Sequence, residues 1–162
     1  ADLAKLVGMV QVNVTALTEL THRLLPGMIA RGSGKILNVG SVAGFQPGPL
    51  MATYYGTKAY VVSLSQALAN ELAGTGVTVT CLCPGPTDTE FAAVAGMQHT
   101  KVFSVGHRLS ARAVAEAGVE GMKRGTVLVV PGWRNKLLIA LQRVAPRGWV
   151  VRVVRWMQQK RT

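Results

Sequence analysis

Tyr54 and Lys58 are the two residues of this sequence whose types and spacing best suit chemistry. They stand four positions apart in a stretch that predicts a helix, so both side chains lie on one face. A tyrosine is a poor base at its ordinary pKa of about 10. A lysine ammonium beside it favours the phenolate and brings that pKa toward neutral pH, which suits general acid–base work. The same spacing also occurs in ordinary surface pairs, so the surrounding sequence must decide between the two interpretations.

Other polar residues stand where a parallel sheet would hold a ligand. Ser41 ends a short apolar stretch thirteen positions before Tyr54, and the Pro84–Thr89 segment (PGPTDT) follows a second apolar stretch. The carboxyl ends of parallel strands meet at one edge of an open α/β sheet, where ligands bind. Asn13 is an amide between two valines of an apolar helical stretch, a position that packing alone does not explain. We therefore expect these residues to contribute to one site.

Helices and strands that could position these residues alternate along the chain. Glycine and proline turns separate the segments, and the strands are rich in Val, Leu and Ile, which is typical of a sheet buried on both faces. The alternation predicts an α/β fold with a doubly wound parallel sheet. The predicted helices are Leu3–Leu25, Thr53–Ala73 and Ala111–Lys123, and the predicted strands are Lys35–Ser41, Val77–Cys83 and Thr126–Val130.

Four ordered motifs resemble the short-chain dehydrogenase/reductase family, and more narrowly its DltE-like oxidoreductase group. They are Asn13-Val14, Asn38–Gly44 (NVGSVAG), Tyr54–Lys58 (YYGTK) and Pro84–Thr89 (PGPTDT). The resemblance extends from about residue 3 to residue 132. It implies a Rossmann-like sheet and an enzyme that interconverts an alcohol and a carbonyl compound by hydride transfer with NAD or NADP.

The resemblance also implies roles for individual residues. Tyr54 would be the general acid/base, and Lys58 would lower its pKa and hydrogen-bond the nicotinamide ribose, so both would also contact the cofactor. Ser41 would hold the substrate oxygen by a hydrogen bond. Asn13 would hold a water molecule in a proton relay through Lys58.

A second group of residues would bind the cofactor alone. Pro84, Gly85 and Thr87 would line the nicotinamide, and Thr89 would contact its carboxamide or the phosphates. Tyr55 is the rival of Tyr54, but Ala59 stands four positions after it, so Tyr55 is interpreted as a packing residue.

The glycine-rich turn and the NNAG motif of the family do not occur in these 162 residues. A dinucleotide needs its pyrophosphate at a helix N-terminus after a tight glycine turn. We therefore expect the carboxyl-terminal part of a longer enzyme, incomplete at its N-terminal side and of little activity alone. The alternative is a shortened, non-catalytic protein that is membrane-associated or acts as a scaffold. The sequence leaves the choice between NAD and NADP open.

The net charge of +11 belongs to the second half of the chain. Residues 1–100 hold five basic and five acidic side chains, whereas residues 101–162 hold thirteen basic and two acidic ones. This asymmetry separates the predicted Rossmann part, residues 1–132, from a basic amphipathic helical tail, residues 133–162. The tail contains eight basic residues, no acidic residue and all three tryptophans. Its two predicted helices meet at Pro146-Arg147-Gly148.

Three interpretations of the tail remain open. It could pack on the domain or on a sister subunit, or it could lie on an anionic membrane surface. Nucleic acid is the least favoured partner, because the tail contains no recognised binding module and is more apolar than phosphate contact requires. We expect a cytoplasmic protein, with the tail as a candidate for peripheral membrane contact.

The remaining expectations concern the metal, the substrate and the oligomer. Cys81 and Cys83 are expected to be buried thiols without a metal, because the three histidines lack ligand spacing. The segment Phe91–Val105 resembles the family's flap over the substrate, and its apolar residues favour a hydrophobic small molecule. The resemblance further implies a homo-oligomer formed through the helices Leu3–Leu25 and Thr53–Ala73.

Overall fold

A three-stranded parallel sheet forms the centre of the protein in the computed structural model, which describes residues 2–89 and 108–159. Its order is β1 (Gly34–Val39), β2 (Val77–Leu82) and β5 (Leu128–Val129). In register, Gly34 lies opposite Val77 and Val39 opposite Leu82, so β1 and β2 end together. The predicted α/β architecture with a parallel sheet is confirmed.

Helices cover both faces of this sheet. They are α1 (Leu3–Val10), α2 (Leu17–Ala30), α3 (Ala52–Glu71) and α4 (Ala111–Lys123). Side chains of β2 alternate between the faces. Cys81 and Cys83 pack against Val61 and Val62 of α3 on one face. On the other face, Leu82 lies so close to Gly118 of α4 that a Cβ there would come within 2.7 Å of it.

The predicted helix Leu3–Leu25 differs from the observed one in two ways. A π-helical turn, Gln11–Ala16, separates α1 from α2 and contains Asn13. The helix also continues through Pro26 to Ala30. The extra turn is stabilised because Met28, together with Leu25, packs on the buried cluster of Leu72, Val77 and Val79.

The first strand ends at Val39, two residues before the predicted end. Ser41 instead caps a short 3-10 helix, Val42–Phe45, and its hydroxyl accepts a hydrogen bond from the Ala43 amide at 3.1 Å. The third predicted strand, Thr126–Val130, is also shorter, because only Leu128–Val129 pairs with β2.

A second small sheet joins β3 (Thr87–Asp88) to β4 (Leu109–Ser110) in parallel. The sequence pattern did not predict it, since two-residue strands carry no periodicity. An ion pair between Arg108 and Asp88, at 3.1 Å, also links the two segments. The predicted flap Phe91–Val105 lies outside the described residues.

The tail consists of two helices, α5 (Trp133–Val144) and α6 (Arg147–Gln158), as the sequence predicted. Val154 of α6 is buried in one cluster with Ala43 and Tyr55, which packs the tail against the start of α3. Across residues 2–89 and 108–159, no helix is both long enough and apolar enough to span a bilayer.

Candidate active site

A cavity of about 780 Å³ opens where β1 and β2 end. Its volume is in the range of small-molecule sites. Ser41, Tyr54 and Lys58 form one wall, the Pro84–Thr89 loop contributes another, and the tail helices α5 and α6 close the remaining side. The predicted catalytic residues after β1 and the predicted cofactor loop after β2 therefore meet at one cavity, as expected from parallel strands that end together.

The side chains of Tyr54 and Ser41 meet at this cavity, where Ser41 acts as a hydrogen-bonding group on the pKa of Tyr54. Tyr54 lies in the first turn of α3, and Ser41 is fixed at the start of the 3-10 helix by its bond to the Ala43 amide. The Ser41 hydroxyl also lies 3.5 Å from the Pro84 carbonyl oxygen. Two hydroxyl groups thus point to the same place, where they can share one substrate oxygen.

Lys58 lies one helical turn after Tyr54, as the spacing predicted. Its Nζ donates a hydrogen bond to the Val39 carbonyl at 2.8 Å and is 6.0 Å from the centre of the Tyr54 ring. Gly44 permits this arrangement, because a Cβ at Gly44 would lie 2.6 Å from the Lys58 carbonyl oxygen. The end of β1, the 3-10 helix and α3 are therefore in direct contact around the lysine.

Burial dominates the protonation of both residues. It raises the pKa of Tyr54 above the ordinary value of 10.0, and the Ser41 hydrogen bond opposes this by a smaller amount. Burial lowers the pKa of Lys58. Tyr54 is therefore a neutral phenol at neutral pH in this structure, ready to donate a proton. The lowering of its pKa that the resemblance assigns to Lys58 stays a prediction.

Asn13 contacts α3 beside Tyr54 and does not contact the Lys58 side chain itself. Its Nδ2 donates to the Thr57 hydroxyl at 3.1 Å, and that hydroxyl donates to the Tyr54 carbonyl at 2.9 Å. The π-helical turn brings this amide to α3, and such turns are frequent at functional sites. The water relay through Lys58 stays a prediction.

The Pro84–Thr89 loop is held by its own hydrogen bonds. The Pro84 carbonyl accepts a bond from the Val42 amide at 3.0 Å, and the Thr87 hydroxyl donates to the Gly85 carbonyl at 3.0 Å. Thr89 also lines the cavity. A Cβ at Gly85 would lie 2.6 Å from the Asn135 Oδ1 atom of α5, so a larger residue would displace the Asn135 side chain from its hydrogen bond to the Pro131 carbonyl.

These groups fit the nicotinamide and its ribose. The Lys58 ammonium and the Tyr54 hydroxyl supply polar contacts on one wall, and Gly85 presents bare backbone on the opposite loop. The pyrophosphate of such a cofactor has no binding segment in these 162 residues, because they contain no glycine-rich strand-to-helix turn. Within residues 2–89 and 108–159, no three His, Cys, Asp or Glu side chains are grouped as metal ligands.

Sequence reasoning missed the contribution of the tail to this site. Tyr55 is buried, which confirms its interpretation as a packing residue, and its hydroxyl accepts a hydrogen bond from the Gln158 Nε2 atom at 2.6 Å. Gln158 and Asn135 are two of the four amide residues in the tail, and no spacing signal marked them. Tyr60, the remaining tyrosine, pairs with the Thr18 hydroxyl at 2.6 Å.

Comparisons with known proteins identify the family of this chain. A family model described as short chain dehydrogenase matches residues 2–100. Ketoacyl reductase HetN of Nostoc sp. (strain PCC 7120) is 32% identical over 162 residues, which cover 96% of this chain and 55% of HetN. A sulfoacetaldehyde reductase of Chromohalobacter salexigens is 48% identical over 87 residues, which cover 53% of this chain and 34% of that protein.

A solved structure shows the same fold. The short-chain dehydrogenase from Sphingobium yanoikuyae in complex with NADPH superposes with a TM-score of 0.74 at 29% identity, and the match covers 88% of this chain and 56% of that one. The chain thus spans about half the length of the relatives that it matches along most of its own length. The family match over more than half of the residues, together with the shared fold, shows that this chain belongs to the short-chain dehydrogenase/reductase family.

Proposed function

We propose that this chain carries the catalytic residues of an NAD(P)-dependent oxidoreductase that interconverts an alcohol and a carbonyl compound. One observation carries the proposal: the Tyr54 hydroxyl and the buried Ser41 hydroxyl line one cavity where two parallel strands end, within one helical turn of the Lys58 ammonium. A surface Tyr–Lys pair would have neither the buried hydroxyl partner nor the cavity.

In the direction of reduction, the substrate carbonyl oxygen accepts hydrogen bonds from the hydroxyls of Ser41 and Tyr54. These donors stabilise the negative charge that develops on the oxygen. Tyr54 then transfers its phenolic proton to that oxygen, and burial keeps this proton in place at neutral pH. The Lys58 ammonium lies beside the resulting phenolate and stabilises its charge. In oxidation the same groups remove the proton from the alcohol.

Bound NADH or NADPH would supply the hydride for reduction, and NAD⁺ or NADP⁺ would accept it in oxidation. Lys58 and Tyr54 would contact its nicotinamide ribose, and Pro84, Gly85, Thr87 and Thr89 would contact the nicotinamide side. The NADPH complex of the Sphingobium relative supports this class of cofactor without deciding between the two dinucleotides.

The substrate is proposed to be a small carbonyl compound or alcohol with an apolar body. The two named relatives are a ketoacyl reductase and a sulfoacetaldehyde reductase, whose names indicate different substrates, so the cavity supplies the argument. Beyond Ser41, Tyr54 and Lys58, its wall is mostly apolar and includes Val114, Leu138 and Val150. Such a wall favours burial of alkyl or ring carbons over charged groups.

Turnover in the full-length polypeptide that contains these residues tests the proposal. Oxidation of NADPH and NADH is followed by absorbance with a panel of aliphatic and aromatic ketones and aldehydes. We expect reduction of apolar members, with kcat/KM rising with chain length until the cavity is filled. Failure of every carbonyl compound and every corresponding alcohol to react would contradict the proposal.

A further inference from the structure

The helix α6 carries an apolar stripe on its solvent side. Trp149, Val153 and Trp156 are spaced by four and three residues, so they share one face. They are 68%, 50% and 55% exposed. The buried residues Val154 and Gln158 hold the opposite side of the helix on the domain. The buried contacts of α6 are therefore made by residues outside this exposed stripe.

The helix α5 repeats the arrangement. Trp133, Leu137, Leu141 and Val144 are spaced by four, four and three residues and are all exposed, with Trp133 at 68% and Val144 at 82%. Ile139 is the buried residue of this helix. Two neighbouring helices therefore each present a tryptophan-bearing apolar stripe to solvent, whereas scattered single apolar residues are the norm on protein surfaces.

Exposed cations accompany both stripes. They are Arg134, Lys136 and Arg143 on α5 and Arg147, Arg152 and Arg155 on α6. No aspartate or glutamate follows Glu120 in the sequence. None of these six cations forms an ion pair with a carboxylate of the described residues, although Arg108, Arg112 and Arg124 do so elsewhere. The charge of the tail is thus available to an anionic partner.

The two stripes adjoin one opening. Leu141 of α5 and Trp149 and Val153 of α6 are exposed and also line the cavity that holds Tyr54. The exposed apolar residues and cations of α5 and α6 thus include residues at the cavity itself. We call the exposed apolar residues and cations of the two helices the tail surface.

We propose that the tail surface binds peripherally to an anionic lipid bilayer, with its tryptophans and leucines in the headgroup region and its cations on the lipid charges. Tryptophan-bearing helices with basic flanks suit this interface. A second copy of the same surface would bring like charges together, which opposes self-association through it. Nucleic acid would use the cations but leave the apolar stripes exposed.

The three tryptophans of the chain all lie on the tail surface, so intrinsic fluorescence reports on it directly. The full chain is mixed with vesicles of phosphatidylcholine alone or with about one-third phosphatidylglycerol. We expect a blue shift of emission and co-sedimentation with the anionic vesicles only. Added salt should weaken the binding, because the attraction between exposed charges is screened.

Matched charge variants locate the binding surface. Arg152→Gln with Arg155→Gln should weaken partitioning to anionic vesicles about 25-fold, from the typical contribution of one cation near a membrane. Lys5→Gln with Arg23→Gln removes two exposed cations outside the tail and should leave partitioning within about twofold of the unaltered chain. Trp149→Ser should reduce the blue shift without preventing folding, since its side chain is exposed.

Three results would overturn the proposal. The first is no fluorescence shift and no sedimentation with anionic vesicles at low salt. The second is equal loss of binding in the tail and control variants. The third is a concentration-dependent blue shift without vesicles, which would assign the tail surface to contact between copies of the chain.

Discussion

Replacing Gln158 by leucine tests whether the tail is a structural part of the site. Gln158 and Tyr55 are 6% and 7% exposed, and their side chains are 2.6 Å apart. Loss of a buried hydrogen bond costs about 1–3 kcal/mol when its partner is left unsatisfied. Here the Gln46 side chain also acts on the pKa of the Tyr55 hydroxyl, so it is near enough to replace the lost partner. The Gln158 Oε1 atom, which is buried and has no partner among the described residues, is removed as well.

These two compensations place the expected loss at about 1 kcal/mol, the lower end of the range. With an ordinary urea dependence, this corresponds to a decrease of about 0.5 M in the unfolding midpoint. Gln159→Leu is the matched control, because Gln159 is adjacent and exposed. It should change the free energy of unfolding by less than about 0.5 kcal/mol.

A double-mutant cycle with Tyr55→Phe isolates the contact itself. The coupling free energy should be about 1 kcal/mol, measured by urea unfolding followed by circular dichroism. Equal urea midpoints for Gln158→Leu and Gln159→Leu would refute the argument that the Gln158–Tyr55 bond anchors α6 on α3. Additive effects of Gln158→Leu and Tyr55→Phe on the free energy of unfolding would refute it as well.

Further predictions concern glycines that pack at or on α3, the pH dependence of stability, and self-association. Gly44→Ala places a Cβ 2.6 Å from the Lys58 carbonyl oxygen and should lower kcat/KM at least about tenfold. Gly56→Ala, whose Cβ would meet no atom within 4 Å, should keep activity and add up to about 1 kcal/mol to the free energy of unfolding. Equal activities of the two variants would contradict this prediction. Burial raises the pKa of Tyr54 in the folded state. The stability that the neutral Tyr54 phenol contributes is therefore complete below the unfolded-state pKa of about 10, and it is lost as pH rises through the higher folded-state pKa. Urea unfolding above pH 10 should therefore show a steeper loss of stability in the unaltered protein than in Tyr54→Phe, and parallel curves would refute the raised pKa. We propose that α1, α2 and α3 mediate self-association, and the exposed apolar residues Leu20 and Leu24 support this. Their replacement by serine should shift the sedimentation coefficient toward the monomer, and an unchanged value would exclude this surface.

The sequence predicted the parts of the fold that depend on periodicity. The long helix from Thr53 to Ala73 corresponds to α3, and the apolar stretch Val77–Cys83 contains β2, because both carry strong patterns bounded by glycine turns. The rule that parallel strands end at one edge of a sheet predicted Ser41 and Pro84 at one site, and both residues line the cavity. The four-residue spacing likewise placed Lys58 one turn from Tyr54.

Features set by tertiary contact could not be predicted in this way. The helix passes through Pro26 because Met28 has a buried cluster to join, and no local signal marks that cluster. The hydrogen bond from Asn13 to Thr57 depends on a π-helical turn. The sequence around Asn13 has a regular helical pattern, which gives no sign of that turn. Gln158 reaches Tyr55 across 103 residues of sequence, a contact that only the folded chain reveals.

Steady-state kinetics of Tyr54→Phe test the central claim most directly. Phenylalanine keeps the ring and removes the hydroxyl at the cavity, so the fold should be retained while the proton donor is lost. In the full-length polypeptide, kcat for carbonyl reduction should fall by about 10²–10⁴-fold, the usual contribution of a general acid. Tyr60→Phe, whose hydroxyl pairs with Thr18 instead of a site residue, should stay within about threefold of the unaltered enzyme. Retention of turnover by Tyr54→Phe would contradict the account.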